Sequence, residues 1–447
     1  MSAQPQPRPD PGERLAAAFR ERRARLPGAG LAWLEALREQ ALERFRAAGL
    51  PARGDEDWKY TDVRALARRL APPAAGPGPV AEDAVRAHGF EGLEVHRIVL
   101  VDGFLVPGLS ALGALPEGVT VMGLAEALAR EPDALAPWLR LPEGADGFTA
   151  LDLAFMTDGV WLRVADGVAL ERPLQIVHLR SAAPGVGAYL RHVLTLGAGA
   201  RATVIETYGA AGEAEALDNV GCTVALAAGA ALEHYVVRDS GERLHHVGRI
   251  DVRQEAGSRY VSHNVTLGGR LTRSAIRVEL AGEGAETQLY GAYVVGGRQQ
   301  VDHHTRIEHR SPGAVSRELY KGVLDGRARG AFTGRVVVHP GAQRTDAEQA
   351  NHNLLLSEDA EADSRPQLEI YADDVRCSHG STVGELDETS LFYLRSRGID
   401  AELARSLLVY AFASDVLERM ALEPVRVQLE RRLTAVLLAG REAEGVI

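Results

Sequence analysis

The chain has 447 residues, of which 46% are hydrophobic, and a formal net charge of −11. This length and composition allow a buried core, and the negative charge argues against a nucleic-acid-binding protein, whose surface is normally basic. Its two cysteines cannot build a disulfide framework, and neither a signal peptide nor a run of roughly 20 apolar residues is visible, so we expect a cytoplasmic protein without a membrane partner.

Helices are expected at the start of the chain. The Pro-rich segment Met1–Pro11 predicts disorder, whereas Glu13–Gly49 carries apolar residues among many Arg and Glu at the spacing of amphipathic helices. Pro27 and Gly28 interrupt that spacing, which indicates two helices rather than one. We predict an N-terminal helical region over residues 1–70.

A loop rich in Pro and Gly, Ala71–Pro79, follows and marks a seam in the chain. Between Val95 and Arg140 short apolar strands alternate with a helix predicted over Met122–Arg130. This pattern predicts a small mixed α/β subdomain over residues 80–150, which would close one end of the domain that follows.

A turn of small residues recurs through the middle of the chain, and each copy opens a strand of alternating character. The turns are Gly199-Ala200, Gly229-Ala230, Gly257-Ser258, Gly284-Ala285, Gly313-Ala314 and Gly341-Ala342, at intervals of 27 to 30 residues. Val261–Leu267 alternates with period two, and Ile276–Leu280 supplies a second strand to the same unit. A propeller blade would need four strands in this period, and a doubly wound α/β domain would need helices between the strands. We therefore predict a mainly β protein whose core is a flattened, right-handed parallel β-helix over residues 151–383.

The end of the chain predicts a helical domain over residues 384–447. Asp387 can cap a helix that stops at Gly398, and Asp400 can cap the next one. A third helix is predicted over Val425–Ala439. In the second helix, five apolar residues fall at helical spacing: Leu403, Leu407, Tyr410, Ala411 and Leu417.

The two cysteines have different surroundings. Cys222 alternates with Val224 and Leu226, which indicates a buried structural residue. Cys377 and His379 lie two residues apart in a polar stretch, so in an extended strand they share a face. A thiolate and an imidazole on one face form half of a soft-metal site, and a closed site needs ligands from elsewhere. An ordinary turn at the end of the β-helix is the alternative interpretation.

Other chemical patterns point away from an enzyme. His245 and His246 are adjacent, as are His303 and His304. In a strand the two histidines of such a pair point to opposite faces, so they cannot easily bind one metal together. The sequence contains no Walker A loop, no H-E-x-x-H motif and no G-x-S-x-G motif. We expect no catalytic residues.

One long signature resembles a known family. The run RPQLEIYADDVRCSHG (residues 365–380), followed by LFYLRSRGI (residues 391–399), is similar to the SufB and SufD family. Gln343–Ala347, Asn351–Ser357 and Glu56–Thr61 support the resemblance, which covers nearly the whole chain. The C-S-H-G element and the N-terminal helical region resemble the SufD branch more than the SufB branch. The family fold, a parallel β-helix flanked by helices, agrees with the repeat described above.

The resemblance implies a scaffold subunit that assembles iron–sulfur clusters in a cytosolic complex with SufB and the SufC ATPase. By motif match, His379 would help to hold iron or a transient nascent cluster at the interface with SufB, with Cys377 beside it. SufB would pair with the β-helix, and SufC would dock on the C-terminal helices. Candidate SufC contacts are Tyr393, Arg397, Tyr410 and Phe412. The resemblance leaves open whether reduced flavin binds the complex and whether the chain forms a homodimer when alone.

Two other functions are compatible with a β-helix. A polysaccharide-degrading enzyme would use clustered acids and bases, but Asp373 and Asp374 are adjacent and face opposite ways, and Glu385 and Asp387 fall at the helical cap. A purely structural homodimer would leave Cys377 and His379 without metal.

Overall fold

The fold is described from a computed structural model covering residues 11–52, 54–67, 70–182, 187–212 and 215–442. Of the segment Met1–Pro11 that was predicted to be disordered, residues 1–10 lie outside this range and Pro11 begins the first helix. Within it, the α-helices are α1 Pro11–Arg22, α2 Ala32–Ala48, α3 Arg64–Ala67, α4 Glu82–Ala87, α5 Leu124–Arg130, α6 Pro132–Leu135, α7 Gly147–Phe155, α8 Glu388–Ser396, α9 Ala401–Leu417 and α10 Glu423–Glu442. Short 3₁₀ helices cover Arg23–Arg25, Glu56–Trp58 and Pro107–Leu109. None of these helices is long and apolar enough to span a membrane.

The strands lie between α4 and α8. They are β1 His96–Val101, β2 Phe104–Leu105, β3 Val119–Gly123, β4 Val160–Val164, β5 Ala169–Arg180, β6 Gly187–Leu196, β7 Arg201–Ala210, β8 Ala216–Leu226, β9 Ala231–Arg238, β10 Leu244–Gln254, β11 Arg259–Thr266, β12 Leu271–Leu280, β13 Glu286–Val295, β14 Gln300–His309, β15 Val315–Leu324, β16 Arg329–Val338, β17 Thr345–Leu355, β18 Glu361–Ile370 and β19 Val375–Gly384.

Successive strands alternate between two sheets, which makes a solenoid. One sheet has the order β19-β17-β15-β13-β11-β9-β7-β5-β1-β2, and the other has β18-β16-β14-β12-β10-β8-β6-β4-β3. From β4 to β19 the pairs within each sheet are parallel. The predicted parallel β-helix with helices at both ends of the chain is confirmed. Strands β1 and β3, which we expected in a mixed subdomain, add to the two sheets.

The recurring small-residue turns connect the two sheets. Gly199 and Gly229 have φ values of +66° and +68°, in the left-handed region that a side chain makes costly. The last turn differs, because Arg344 takes the positive φ there. The first five turns therefore share one backbone geometry, and inward residues of successive coils stack in columns.

The main core lies between the two sheets. In one of its columns Cys222, Ile250 and Ile276 are in-register neighbours on successive strands, and all three are buried. The prediction that Cys222 is a buried core residue is confirmed. Burial also raises the pKa of its thiol well above the ordinary value, so the thiol stays protonated.

Helices cover the outer faces of both sheets. The outward residues Leu217, Val247 and Leu271 of the nine-stranded sheet share an apolar cluster with residues of α1, α2 and α7. The other sheet is covered by α9 and α10, through buried residues that include Val409 and Leu429. The end of the solenoid formed by β18 and β19 remains exposed in the described part of the chain.

The predicted boundaries of the C-terminal helices are nearly correct. The carboxylate of Asp387 accepts hydrogen bonds from the amides of Thr389 and Ser390, and Asp400 caps α9 in the same way. The helical spacing in α9 did not identify its buried face, because Leu403 and Leu407 are 50% and 42% exposed. Of the five predicted residues only Leu417 is buried, and the other buried apolar residues of α9 are Ala404, Val409, Ala413 and Val416.

Candidate functional site

Cys377 and His379 lie on the last strand of the ten-stranded sheet. In the register of β19 and β17, Cys377 lies opposite Ala347, and His379 lies opposite Gln349. Because Ala347 and Gln349 are buried on the inward face of β17, both predicted ligands project toward the inside of the solenoid at its end. The stretch is a strand, so the interpretation as an ordinary turn is wrong.

The two side chains differ in exposure. Cys377 is half-buried and packs against the main core, whereas His379 is exposed. Burial raises the pKa of the Cys377 thiol, so at neutral pH this side chain carries its proton. It can become a thiolate ligand only if a metal or a neighbouring positive charge displaces that proton.

Two polar residues lie beneath His379 in the same inward column. Gln349 is directly below it, and Glu318 is the in-register partner of Gln349 on β15. The Gln349 Nε2 donates a 2.6 Å hydrogen bond to Glu318 Oε2, and both side chains are buried. Burial raises the pKa of Glu318 to about 7. The sequence reasoning missed this pair, because the register that aligns β15, β17 and β19 is visible only in three dimensions.

The end of the solenoid around these residues presents strand edges and apolar side chains. In the described chain, β18 and β19 each have a strand partner on one side only. Ile370, Tyr371 and Val383 are 41%, 59% and 49% exposed there. Unpaired strand edges with exposed apolar residues are typical of a surface that pairs with another chain.

The predicted docking residues divide into two pairs. Tyr393 on α8 and Arg397, just after the end of α8, are both exposed. The Arg397 guanidinium lies 5.1 Å from the centroid of the Tyr393 ring and donates a 3.2 Å hydrogen bond to the tyrosine hydroxyl. Tyr410 and Phe412 are half-buried in the cluster under α9. Phe412 also lies 4.8 Å from the Lys321 ammonium. The structure therefore does not bring the four residues into one exposed patch.

The two histidines of each predicted pair face opposite ways, as expected for adjacent strand residues. His246 and His303 occupy inward positions of the solenoid, while His245 contacts Glu215 and His304 approaches Asp57 on the outside. Asp387, one of the acids weighed for an enzyme, caps α8.

Comparison with known proteins agrees with this geometry. Residues 179–412 match the family described as SUF system FeS cluster assembly, SufBD core domain, and residues 11–176 match the SufBD protein N-terminal region. The chain belongs to the SufBD family. The core-domain match contains Cys377 and His379 together with the strands from β6 to β19.

SufBD relatives match along most of the chain. It is 32% identical over 407 residues to the iron–sulfur cluster assembly protein SufD of Escherichia coli, which covers 90% of this chain and 93% of that protein. It is 31% identical over 407 residues to a SufBD family iron–sulfur cluster assembly protein of Synechocystis, covering 88% of this chain and 89% of that protein. SufD of Bacillus subtilis is 29% identical over 297 residues, which covers 63% of this chain and 64% of that protein.

Proposed function

We propose that the chain is a non-catalytic, SufD-like scaffold subunit of a cytoplasmic SUF complex, where it supports iron acquisition and iron–sulfur cluster assembly. The observation that carries the proposal is the position of His379. It is exposed on a strand with one paired edge, two residues from Cys377, at the end of the solenoid that the helices leave uncovered. A ligand in that place can be shared with a second chain.

SufB is the proposed partner at this end. A second β-helix placed end to end would pair its strands with β18 and β19 and would cover Ile370, Tyr371 and Val383. Backbone hydrogen bonds at a strand edge and buried apolar side chains both favour such pairing. A second copy of the chain could occupy the same edge when SufB is absent, which would give a homodimer.

Iron or a transient cluster would be held jointly. Structural zinc sites and iron–sulfur clusters usually take four ligands, and β19 supplies two candidate donors, His379 and Cys377. The remaining ligands would come from SufB. His379 is the better donor of the two, because its imidazole is exposed while the Cys377 thiol is protonated and half-buried.

The test is the iron and acid-labile sulfide recovered with the complex after anaerobic purification. We expect His379→Ala to leave the fold and the assembly with SufB and SufC intact, and to lower both contents at least severalfold. Cys377→Ala should have a smaller effect. His339→Ala is the matched control, because this histidine is partly exposed on the same solenoid and pairs with Glu308 away from the last strand.

The outcomes separate the interface from the ligand. If the His379→Ala complex keeps wild-type iron and sulfide, His379 is an ordinary interface residue. If the variant instead fails to bind SufB, the strand edge is confirmed as the interface, and the ligand role is then measured with His379→Gln, which keeps a polar side chain of similar size.

SufC is the proposed partner of the C-terminal helices. Phe392 and Tyr393 on α8 are 74% and 57% exposed, and Leu403 and Leu407 on α9 add further exposed apolar area. We call these four residues, with Arg397, the α8–α9 surface. Exposed aromatic and aliphatic side chains close to an arginine are typical of protein–protein contacts.

A pull-down with SufC tests this surface. The double variant Tyr393→Ala with Arg397→Ala should weaken SufC binding at least tenfold, while Arg431→Ala should not, since Arg431 is an exposed arginine on α10 that faces Glu91. Removal of Ile399–Ile447 should abolish binding. SufC held at full stoichiometry by the double variant would place the docking site elsewhere, and the half-buried Tyr410 and Phe412 would be the next residues to replace.

Reduced flavin stays a prediction from the family resemblance. A flavin absorption spectrum that co-purifies with the complex, and disappears when SufB and this chain are separated, would support it.

A further inference from the structure

Three titratable side chains meet inside the solenoid, near the end opposite to β19. They are His178 on β5, His192 on β6 and Glu206 on β7, and one ligand atom of each lies within 4.8 Å of the other two. Their exposed fractions are at most 4%. Because β5 and β7 belong to one sheet and β6 to the other, the three side chains span the space between the sheets.

The cluster contains buried polar atoms with no partner in the described structure. Neither ring nitrogen of His178 has a hydrogen-bond partner, and Nε2 of His192 has none. Buried polar groups are normally satisfied, so unpartnered nitrogens aimed at a carboxylate indicate that something is bound between them. The Glu206 carboxylate accepts a 2.8 Å hydrogen bond from His234 Nε2 and another from the Tyr208 hydroxyl, which favours its ionised form.

We propose that His178, His192 and Glu206 bind a first-row divalent transition-metal ion inside the solenoid. Two imidazoles and one carboxylate are a donor set used for Zn²⁺ and Fe²⁺. The ion would join neighbouring strands of one sheet to the facing sheet, and so it would stabilise the first coils. It would also give a partner to one ring nitrogen of His178 and to Nε2 of His192.

Metal binding requires two local adjustments. Ligands of a tetrahedral zinc ion lie about 3.3 Å apart, from metal–ligand distances of about 2.0–2.1 Å, so the donors must close in; His178 Nε2 is now 3.8 Å from Glu206 Oε2. In addition, His192 Nδ1 accepts a 3.0 Å hydrogen bond from the Val160 amide, which leaves the proton of the neutral ring on Nε2. His192 must turn away from Val160 so that the proton can move to Nδ1 and Nε2 can coordinate.

Two nearby positive charges oppose a cation, namely Arg238 and Arg191, which precedes the ligand His192 in the chain. The Arg238 guanidinium lies 5.6 Å from the Tyr208 ring and donates a 2.8 Å hydrogen bond to Asn264. Arg238 is on β9, and Glu206 is on the neighbouring strand β7. In the order of the strands, the ionised carboxylate of Glu206 therefore lies between Arg238 and the proposed ion. The interaction lowers the affinity without removing a donor.

This site is separate from the one on β19. Six strand spacings of about 4.8 Å lie between β7 and β19 in the same sheet, or roughly 29 Å. All three donors come from this chain, so the site requires neither SufB nor the proposed cluster function.

The experiment uses the full chain carrying Cys377→Ala and His379→Ala, which removes the donors at the other site. The protein is produced with added Zn²⁺ or Co²⁺, passed over a weak chelator, and analysed for bound metal and for the visible absorption of Co²⁺. We expect close to one equivalent of metal, and an at least tenfold loss in His178→Phe. Phenylalanine keeps the stacking on Tyr208, whose ring centroid is 4.2 Å away, and sacrifices no hydrogen bond.

The matched control is His303→Phe. This histidine is also buried inside the solenoid, between Tyr293 and Tyr320, with an unpartnered Nε2. It should keep the metal. If His178→Phe does not fold, Glu206→Gln replaces it, with the Co²⁺ spectrum as the readout. Equal metal in the parent and the His178→Phe or Glu206→Gln variant, or no retained metal in the parent, would overturn the proposal and leave buried water as the partner of these nitrogens.

Discussion

We expect the buried carboxyl of Glu318 to make the stability of the protein depend on pH. This carboxyl is buried on the inward face of β15, and burial raises its pKa from 4.5 to about 7. In the unfolded chain it ionises near 4.5, so between that pH and about 7 the folded protein holds a proton that the unfolded chain has lost. The contribution of Glu318 to stability is therefore present below pH 4.5 and is lost as the pH rises to about 7.

Glu318→Gln should remove this loss. Glutamine resembles the protonated acid and can still accept the hydrogen bond that Gln349 donates. The two proteins should be equally stable at pH 4.5. A shift from 4.5 to about 7 corresponds to about 3 kcal/mol, so at pH 8 the variant should be more stable by an amount of that order.

Urea unfolding of both proteins at several pH values between 4.5 and 8 measures this difference. Comparing the two proteins cancels the other titrating groups, which include Asp152, whose pKa burial also raises to about 7. A constant difference across the range, or a variant that is less stable at pH 8, would refute the assignment of Glu318 as a buried, protonated acid. Asp152→Asn in the same series should show its own, independent change.

Three further predictions concern packing and capping. Cys222→Ala should cost about 1–2 kcal/mol in urea unfolding and leave the iron content of the complex unchanged, and loss of iron from a folded variant would make Cys222 a ligand. Gly291→Ala should lower the melting temperature clearly, because the new Cβ would lie 2.1 Å from the Tyr320 ring, whereas Gly296→Ala meets no atom within 4 Å and should change it little. Asp387→Ala should destabilise α8, measured as faster amide hydrogen exchange there, while Asp387→Asn should keep the cap.

The parts of the fold that depend on local patterns could be predicted. Period-two alternation and the recurring Gly turns indicate two strands in each coil, and alternation alone places His245 and His246 on opposite faces. Asp387 and Asp400 locate two helix starts through their own side-chain hydrogen bonds. In each case the cause lies within a few residues of the feature.

Features that depend on the register between strands could not be predicted. His178, His192 and Glu206 follow one another at intervals of 14 residues along the chain. They come together only because the two sheets face each other. The Gln349–Glu318 pair depends on the alignment of β15 with β17. The exposure of Leu403 and Leu407 depends on how α9 packs on its sheet, which helical spacing leaves undetermined.

The unlike ends of the solenoid limit how the chain can grow. At one end the outermost strands are β2, which has two residues, and β3, which pairs antiparallel with β4. At the other end β18 and β19 are each ten residues long, each pairs in parallel with one strand of its own sheet, and each is open on the other side. A fibre needs each unit to offer two complementary ends, whereas a unit with one adhesive end stops growing once that end is filled. End-to-end association through β18 and β19, as proposed above, would therefore stop at a pair and would not form a polymer.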